Sequence, residues 1–292
     1  MLFSIVIPTY NRAKILEETL MSVLDQTYPH YEVLVVDDGS TDNTREAVEN
    51  LQNEKIRYFY KANEERSIAR NYGADKAIGD YIIFLDSDDK MSETHLISVY
   101  DFLKTKDFIP RFIFAGYQIL HPDRTLLYSY GVDGFFNSRK LVYGNFLGCS
   151  SVILHKDLFK KYYFNTNKGL ILFEDWELWL RVISENQLYC FPGKSIVMIN
   201  HGGRSVLNYD ASQLKDKILH FKSYIMRSSN IITRSFLNKR LFLNGIYSYA
   251  ALHIAMTKNH KSEAVKYLFT SLLNNPFFIF KKRFLAIIKH LF

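Results

Sequence analysis

A chain of 292 residues, 48% hydrophobic and 23% charged, has the composition of a folded globular protein, which excludes a disordered one. Its two cysteines, Cys149 and Cys190, match no metal-binding spacing and are too few for a disulfide framework, so a reducing compartment is expected. The net charge of +7 is uneven: residues 209–292 hold 14 Lys/Arg against three acidic residues, leaving an acidic front and a strongly basic back.

The N-terminus lacks the basic and apolar regions of a leader, and no run of about 18 uncharged apolar residues occurs, which predicts a cytoplasmic protein without a spanning helix. Phe3–Pro8 is a short apolar run ended by proline and reads as a strand. Ala13–Asp25 follows, with Ile15, Leu16, Leu20, Val23 and Leu24 on one helical face. Val33–Val36 is a second strand, and the turn cluster Asp37–Asp42 leads to a helix over Thr44–Leu51, with Thr41 or Asp42 as its cap. Ile56–Tyr60 is a third strand, Ser67–Ile78 a helix closed by Gly79, and Tyr81–Leu85 a fourth strand. Ser92 is placed to cap a helix running to Lys104.

This alternation predicts βαβ units and a parallel sheet covered on both faces. Ligands of open α/β sheets bind beyond the carboxyl ends of the strands. Those ends read Pro8-Thr9-Tyr10-Asn11, Asp37-Asp38-Gly39-Ser40 and Asp86-Ser87-Asp88-Asp89, three polar clusters expected on one rim.

Further on, Arg111–Leu120 and Thr125–Tyr130 read as strands flanking a turn, Ser151–Leu154 as another, and Phe173–Glu185 as a helix anchored by Trp176, Trp179, Leu180 and Ile183. After residue 207 only helices are expected. One starts at Asp210, with Leu214, Ile218, Phe221 and Ile225 along one face; Ile246–Met256 and Ser262–Leu273 form an antiparallel pair. The expected domains are therefore 1–207 and a helical region, 208–292.

Two carboxylates as close as those of Asp86-Ser87-Asp88, directly after a buried strand, suit a hard divalent cation that prefers oxygen ligands. Such an ion neutralises a diphosphate leaving group. Taken alone, an Asp-x-Asp also fits a turn or a helix cap.

With Ile5-Val6-Ile7-Pro8-Thr9-Tyr10-Asn11-Arg12, Val35 to Asp42, Ala69-Arg70-Asn71-Tyr72-Gly73, Phe84 to Asp89, Glu174-Asp175-Trp176 and His201 in this order, the chain resembles the inverting family 2 glycosyltransferases of GT-A fold over roughly residues 1–207. The resemblance implies a mixed Rossmann-like sheet with helices on both faces. The implied reaction moves a sugar from a nucleoside-diphosphate sugar, expected to be UDP-linked, to a saccharide hydroxyl, in cell-surface polysaccharide or glycolipid synthesis. It makes Tyr10 a neighbour of the base in a pocket shaped by Pro8 and Thr9, Asp38 a partner of the base, and Arg70 a contact of base and phosphate. Asp86, with Ser87 beside it, falls near ribose and metal; Asp88 and His201 become ligands of Mn²⁺ or Mg²⁺. Asp175 becomes the general base. Gly148, Glu174, Trp176 and Arg204 are candidate acceptor or diphosphate contacts. By themselves Asp38-Gly39-Ser40 fit an ordinary turn, Arg70 a surface helix position, Gly148 a plain turn, and Glu174-Asp175 the acidic first turn that a helix dipole favours.

Two rivals stand beside this reading. A nucleotidyltransferase would need a Gly-rich, Lys/Arg-bearing phosphate loop where the chain has Pro8-Thr9-Tyr10-Asn11-Arg12. The joint presence of Asp86, Asp88, Asp175 and His201 argues against a catalytically inactive sugar-binding or scaffold protein. The last segment, Pro276–Phe292, mixes ten large apolar residues with four cations and no anion. It fits an anionic membrane surface at the inner face of the cell membrane, beside a lipid-linked acceptor, or a helix packed on its own domain. No nucleic-acid partner is expected.

Overall fold

Short β-branched runs alternating with amphipathic stretches build the front of the protein in the computed structural model, which describes residues 1–132, 134–136, 138–200, 210–228, 235–256 and 260–292. In chain order these are β1 (Phe3–Thr9), α1 (Ala13–Leu24), β2 (Tyr31–Asp37), α2 (Thr44–Glu49), β3 (Ile56–Tyr60), α3 (Arg66–Lys76) and β4 (Tyr81–Phe84). Next come β5 (Asp89–Met91), α4 (His95–Lys104), β6 (Phe112–Leu120), β7 (Leu126–Tyr130), β8 (Gly134–Phe135), α5 (Ser138–Tyr143), β9 (Val152–His155) and α6 (Lys156–Tyr162). The elements α7 (Glu174–Ile183), β10 (Tyr189–Ile199), α8 (Ala211–Ser228), α9 (Phe236–Met256), α10 (Lys261–Asn274) and α11 (Lys282–Leu291) complete the described chain.

The strands form one sheet of order β3-β2-β1-β4-β9-β6-β10-β5, with β7 on β6 and β8 on β10. β1 to β4 run parallel, whereas β9 is antiparallel to both β4 and β6. The sheet is therefore mixed, as the family resemblance implied and the alternation alone did not. All seven residues of β2 are buried, the mark of a strand covered on both faces. The chain steps outward from β1 to β3 and returns to β4, so right-handed crossovers put α1 and α2 on one face and α3 on the other.

Two local expectations are revised and a third holds. The helix assigned to Ser92 starts at His95, because Asp89–Met91 pair as a strand with β10 and the Ser92 N–H donates to the Ser195 carbonyl at 2.8 Å. α9 starts ten residues before Ile246. Gly245 lies inside the helix, where a Cβ would strike the Tyr143 carbonyl of α5. Asp210 does cap α8: its carboxylate accepts the Gln213 N–H at 2.8 Å and Gln213 Oε1 accepts the Asp210 N–H at 3.2 Å, a reciprocal capping box.

The chain divides into two compact units, one of Met1–Phe136, Leu147–Thr166 and Asn186–His201, the other of Asn137–Phe146, Asn167–Glu185 and Gly202–Phe292. The sheet is the core of the first. In the second, Phe173 and Phe221 stack with ring centroids 4.7 Å apart, and Trp176 packs against Phe221 and Phe242. Among the described residues no helix is long and apolar enough to cross a membrane.

Candidate functional site

Parallel register brings the ends of β1 and β2 abreast, with Thr9 opposite Asp37, and sets β4 alongside β1 with Phe84 opposite Val6. The loops leaving β1 and β2 are then tied to each other. Asn11 adopts φ 50°, a left-handed conformation that asparagine tolerates; it donates its N–H to Ser40 Oγ at 2.8 Å and accepts the Thr41 N–H at 2.7 Å. Asp42 accepts the N–H groups of Ala13 and Thr44, both at 3.1 Å, and so steadies the starts of α1 and α2. Between these ties Thr9 is buried, its carbonyl accepting the Asp38 N–H, while Tyr10 stays half exposed beside Pro8.

Asp37 and Asp38 are both buried but serve different partners. Asp37 accepts the Ser40 N–H and the Tyr58 hydroxyl. Asp38 accepts the Lys61 ammonium at 2.7 Å and the N–H groups of Glu64 and Glu65 at 3.1 and 2.9 Å. Burial works against charge on Lys61, yet its bonds to Asp38 and Glu64 outweigh that and hold its pKa above the ordinary lysine value. The turn needs glycine at 39: φ is +88°, and a Cβ would lie 2.8 Å from the Asn63 nitrogen.

Arg70 reaches the third strand end from α3. Its buried guanidinium lies 2.7 Å from Asp86 Oδ1 and 5.1 Å from the centroid of the Phe164 ring. Asn71 fixes that ring's backbone through a pair of 2.9 Å hydrogen bonds to Phe164. The Asp86 N–H donates to Ser150 Oγ, whose proton goes to Asp89. The Ser87 carbonyl accepts the Thr19 hydroxyl at 3.0 Å, and Asp88 pairs with Arg12. Along this rim three carboxylates each meet a cation: Asp38 meets Lys61, which also bonds Glu64, Asp86 meets Arg70 and Asp88 meets Arg12.

Asp86 and Asp88 offer the oxygen donors that suit Mg²⁺ or Mn²⁺, which needs only one or two carboxylates besides water and phosphate. Among the described residues no group of three or more His, Cys, Asp and Glu gathers as a metal site. His201 and Arg204 lie outside the described residues. Gly148 is in the first unit, its carbonyl accepting the Ser151 N–H at 2.9 Å, and a Cβ there would meet the Met198 side chain.

Glu174, Asp175 and Trp176 belong to the second unit, at the start of α7. Asp175 accepts the Trp176 N–H at 2.7 Å and the side-chain amide of Asn145 at 2.9 Å. Glu174 is buried. Trp176 is buried as well, its indole N–H donating to the Leu141 carbonyl at 2.8 Å, so it fastens α7 to α5. Sequence reasoning singled out none of Lys61, Asn145 and Ser150. Arg12 stood inside a quoted motif without a role, and its position one residue before the first helix was the available signal.

The model of the family described as "Glycosyl transferase family 2" matches residues 4–162. A glycosyltransferase of Rickettsia felis is 29% identical over 95% of the chain, which spans 44% of that relative's length. The UDP-Glc:alpha-D-GlcNAc-diphosphoundecaprenol beta-1,3-glucosyltransferase WfgD of Escherichia coli is 30% identical over 64% of the chain and 72% of its own. Staphylococcus aureus TarS, solved with UDP-GlcNAc, superposes with a TM-score of 0.60 over 95% of this chain and 91% of that one. At 19% identity this likeness carries the fold alone, and that fold is GT-A.

Proposed function

The chain belongs to glycosyl transferase family 2, and from that membership we propose that it transfers a sugar, with inversion, from a UDP-sugar to a saccharide hydroxyl in the synthesis of a cell-surface polysaccharide or glycolipid. The acceptor class is a saccharide on a lipid carrier, and the basic C-terminal segment holds the protein at an anionic membrane surface. The UDP-Glc donor in the E. coli relative's name supports the donor class, and the lipid-linked substrate in the same name supports the acceptor class.

The observation that carries the reading is the rim of three carboxylate–cation contacts, Asp38–Lys61, Asp86–Arg70 and Asp88–Arg12. Each of these cations is already engaged by a carboxylate, which suits a donor arriving with its own divalent cation to balance the negative charge of its diphosphate. Asp88 and Asp86 would hold that cation, which when bound neutralises the leaving diphosphate. In this reading Tyr10 borders the base, with Pro8 and Thr9 shaping its pocket. Asp38 and Lys61 fix the loop at residues 61–65 beside it, and Arg70 orients Asp86. Asp175, an acceptor-only carboxylate when ionised, takes the proton of the attacking hydroxyl at an oxygen that Asn145 orients.

Screening UDP-, GDP- and dTDP-sugars with Mn²⁺ for protection against thermal unfolding tests the donor, since binding to the native state alone raises stability. UDP-sugars should protect, and only with metal. Protection by none of them, or by nucleoside triphosphates instead, would turn the reading toward a scaffold or a nucleotidyltransferase. The anomeric configuration of the transferred sugar, read by NMR, tests inversion.

A further inference from the structure

From Lys217 to Phe292 the only acidic residue is Glu263, and its carboxylate is bonded to Lys215 Nζ at 2.6 Å. Within this basic stretch α11 sorts its side chains by face. Ile287 and Leu291 are buried, and Arg283, in line with them at four-residue spacing, bonds Ser248 Oγ at 3.1 Å and covers the Tyr143 ring at 5.1 Å. Lys282, Leu285 and Lys289, at i, i+3 and i+7, face out, with Leu285 64% exposed. α10 is sorted likewise. Ala264, Leu268 and Ser271 are buried, while Val265, Phe269 and Leu273 recur every four residues on the solvent side, the last two each 62% exposed. Phe277, between these helices, is 74% exposed.

We propose that the outward face of α10, residues 276–280 and α11 together form a docking surface for an anionic lipid bilayer. This deepens the membrane association proposed for the C-terminal segment and rests on it. Exposed apolar side chains of this number mark an interaction surface rather than ordinary solvent exposure. Their interleaving with lysine selects the partner. The core of a protein–protein interface is depleted of lysine. A helix lying in a bilayer surface sets Phe and Leu at the acyl boundary and lets Lys reach back to the headgroups. Lys266, Lys281, Lys282 and Lys289 are all exposed among the apolar residues, with no exposed carboxylate among the described residues of the two helices. The structure also revises the tail as a linear motif: Arg283 turns inside the unit, and α10 contributes three exposed apolar side chains, Val265, Phe269 and Leu273.

Co-sedimentation of the whole chain with phosphatidylcholine vesicles, with and without phosphatidylglycerol, tests this. Binding should require the anionic lipid and weaken with salt. Lys282→Gln and Lys289→Gln should each weaken it about fivefold. Phe269→Glu combined with Leu273→Glu should weaken it at least about tenfold at an unchanged thermal midpoint. Leu285→Glu repeats the test on α11 should the α10 pair fail to fold. Lysine variants that lose binding while the α10 pair keeps it would leave the tail as the anchor and overturn the composite surface. Equal binding to neutral vesicles, or none, overturns the membrane reading. So does self-association in sedimentation velocity that Phe269→Glu abolishes, which would assign the face to a second copy. UDP-sugar binding in the same samples is independent of all these outcomes and reports on the catalytic reading separately.

Discussion

The guanidinium of Arg12, one residue before α1, lies 2.7 Å from a carboxylate oxygen of Asp88, the residue proposed as metal ligand. A divalent cation must compete with it for the same negative charge. Removing Arg12 as Arg12→Ala should therefore tighten Mn²⁺ binding by about fivefold, the worth of a pair near 1 kcal/mol. Asp88→Ala should abolish Mn²⁺-dependent donor binding with the fold intact. Mn²⁺ titration followed by electron paramagnetic resonance checks both. Weaker Mn²⁺ binding in Arg12→Ala would mean that Arg12 builds the site rather than competing for it.

Asp175 is oriented by the Trp176 N–H and by Asn145. Asp175→Asn keeps the shape but cannot take a proton, so transfer should fall by roughly 10²–10⁴ while donor affinity holds. Asn145→Ala leaves the carboxylate but removes one of the groups that orient it; it should cost roughly tenfold in kcat with donor KM unchanged. Near-normal transfer by Asp175→Asn would move the base elsewhere, with Glu174 the first residue to test.

Gly73 lets α3 settle onto β1 and β2, and a Cβ there would lie 2.9 Å from Val36 Cγ2 and collide with Val6. Gly73→Ala should lower stability by about 1–3 kcal/mol through overpacking. Because α3 also carries Arg70, donor affinity should fall with it. An unchanged urea midpoint would show that the helix yields at no cost.

His95 is fully buried, its Nδ1 2.6 Å from Ser195 Oγ, and burial pushes its pKa down to about 4. Burial followed by the nearby Arg283 charge does the same to His253. Such a group binds its proton more readily unfolded than folded. Its contribution is present above the unfolded pKa of about 6.5 and is lost as the pH falls toward about 4, on the order of 3 kcal/mol at most per residue. Urea midpoints should drop between neutral pH and pH 5, and His95→Gln should flatten that drop while lowering stability at neutral pH. An unaltered pH slope in the variant would remove His95 as the source.

Local chemistry sufficed for much of this protein. The strands β1 to β4 are legible because short apolar runs end at turn residues, and α8 because Asp210 can cap a helix whose apolar residues recur along one face. The rim carboxylates are legible because parallel strands must end on the same side of a sheet. Long-range pairing is a different matter. That Asp89–Met91 form a strand depends on β10, over a hundred residues away, supplying the hydrogen bonds. That α9 runs through Gly245 depends on the Tyr143 carbonyl passing so close that no side chain fits. Which cation meets which carboxylate, Lys61 with Asp38 and Arg12 with Asp88, is set by where loops distant in sequence converge. The sequence announced that Pro276–Phe292 is basic and apolar. Only packing decided that Arg283 turns inward while Phe269 and Leu273 of α10 turn out, because a helix's faces acquire an inside only when a neighbour covers one of them.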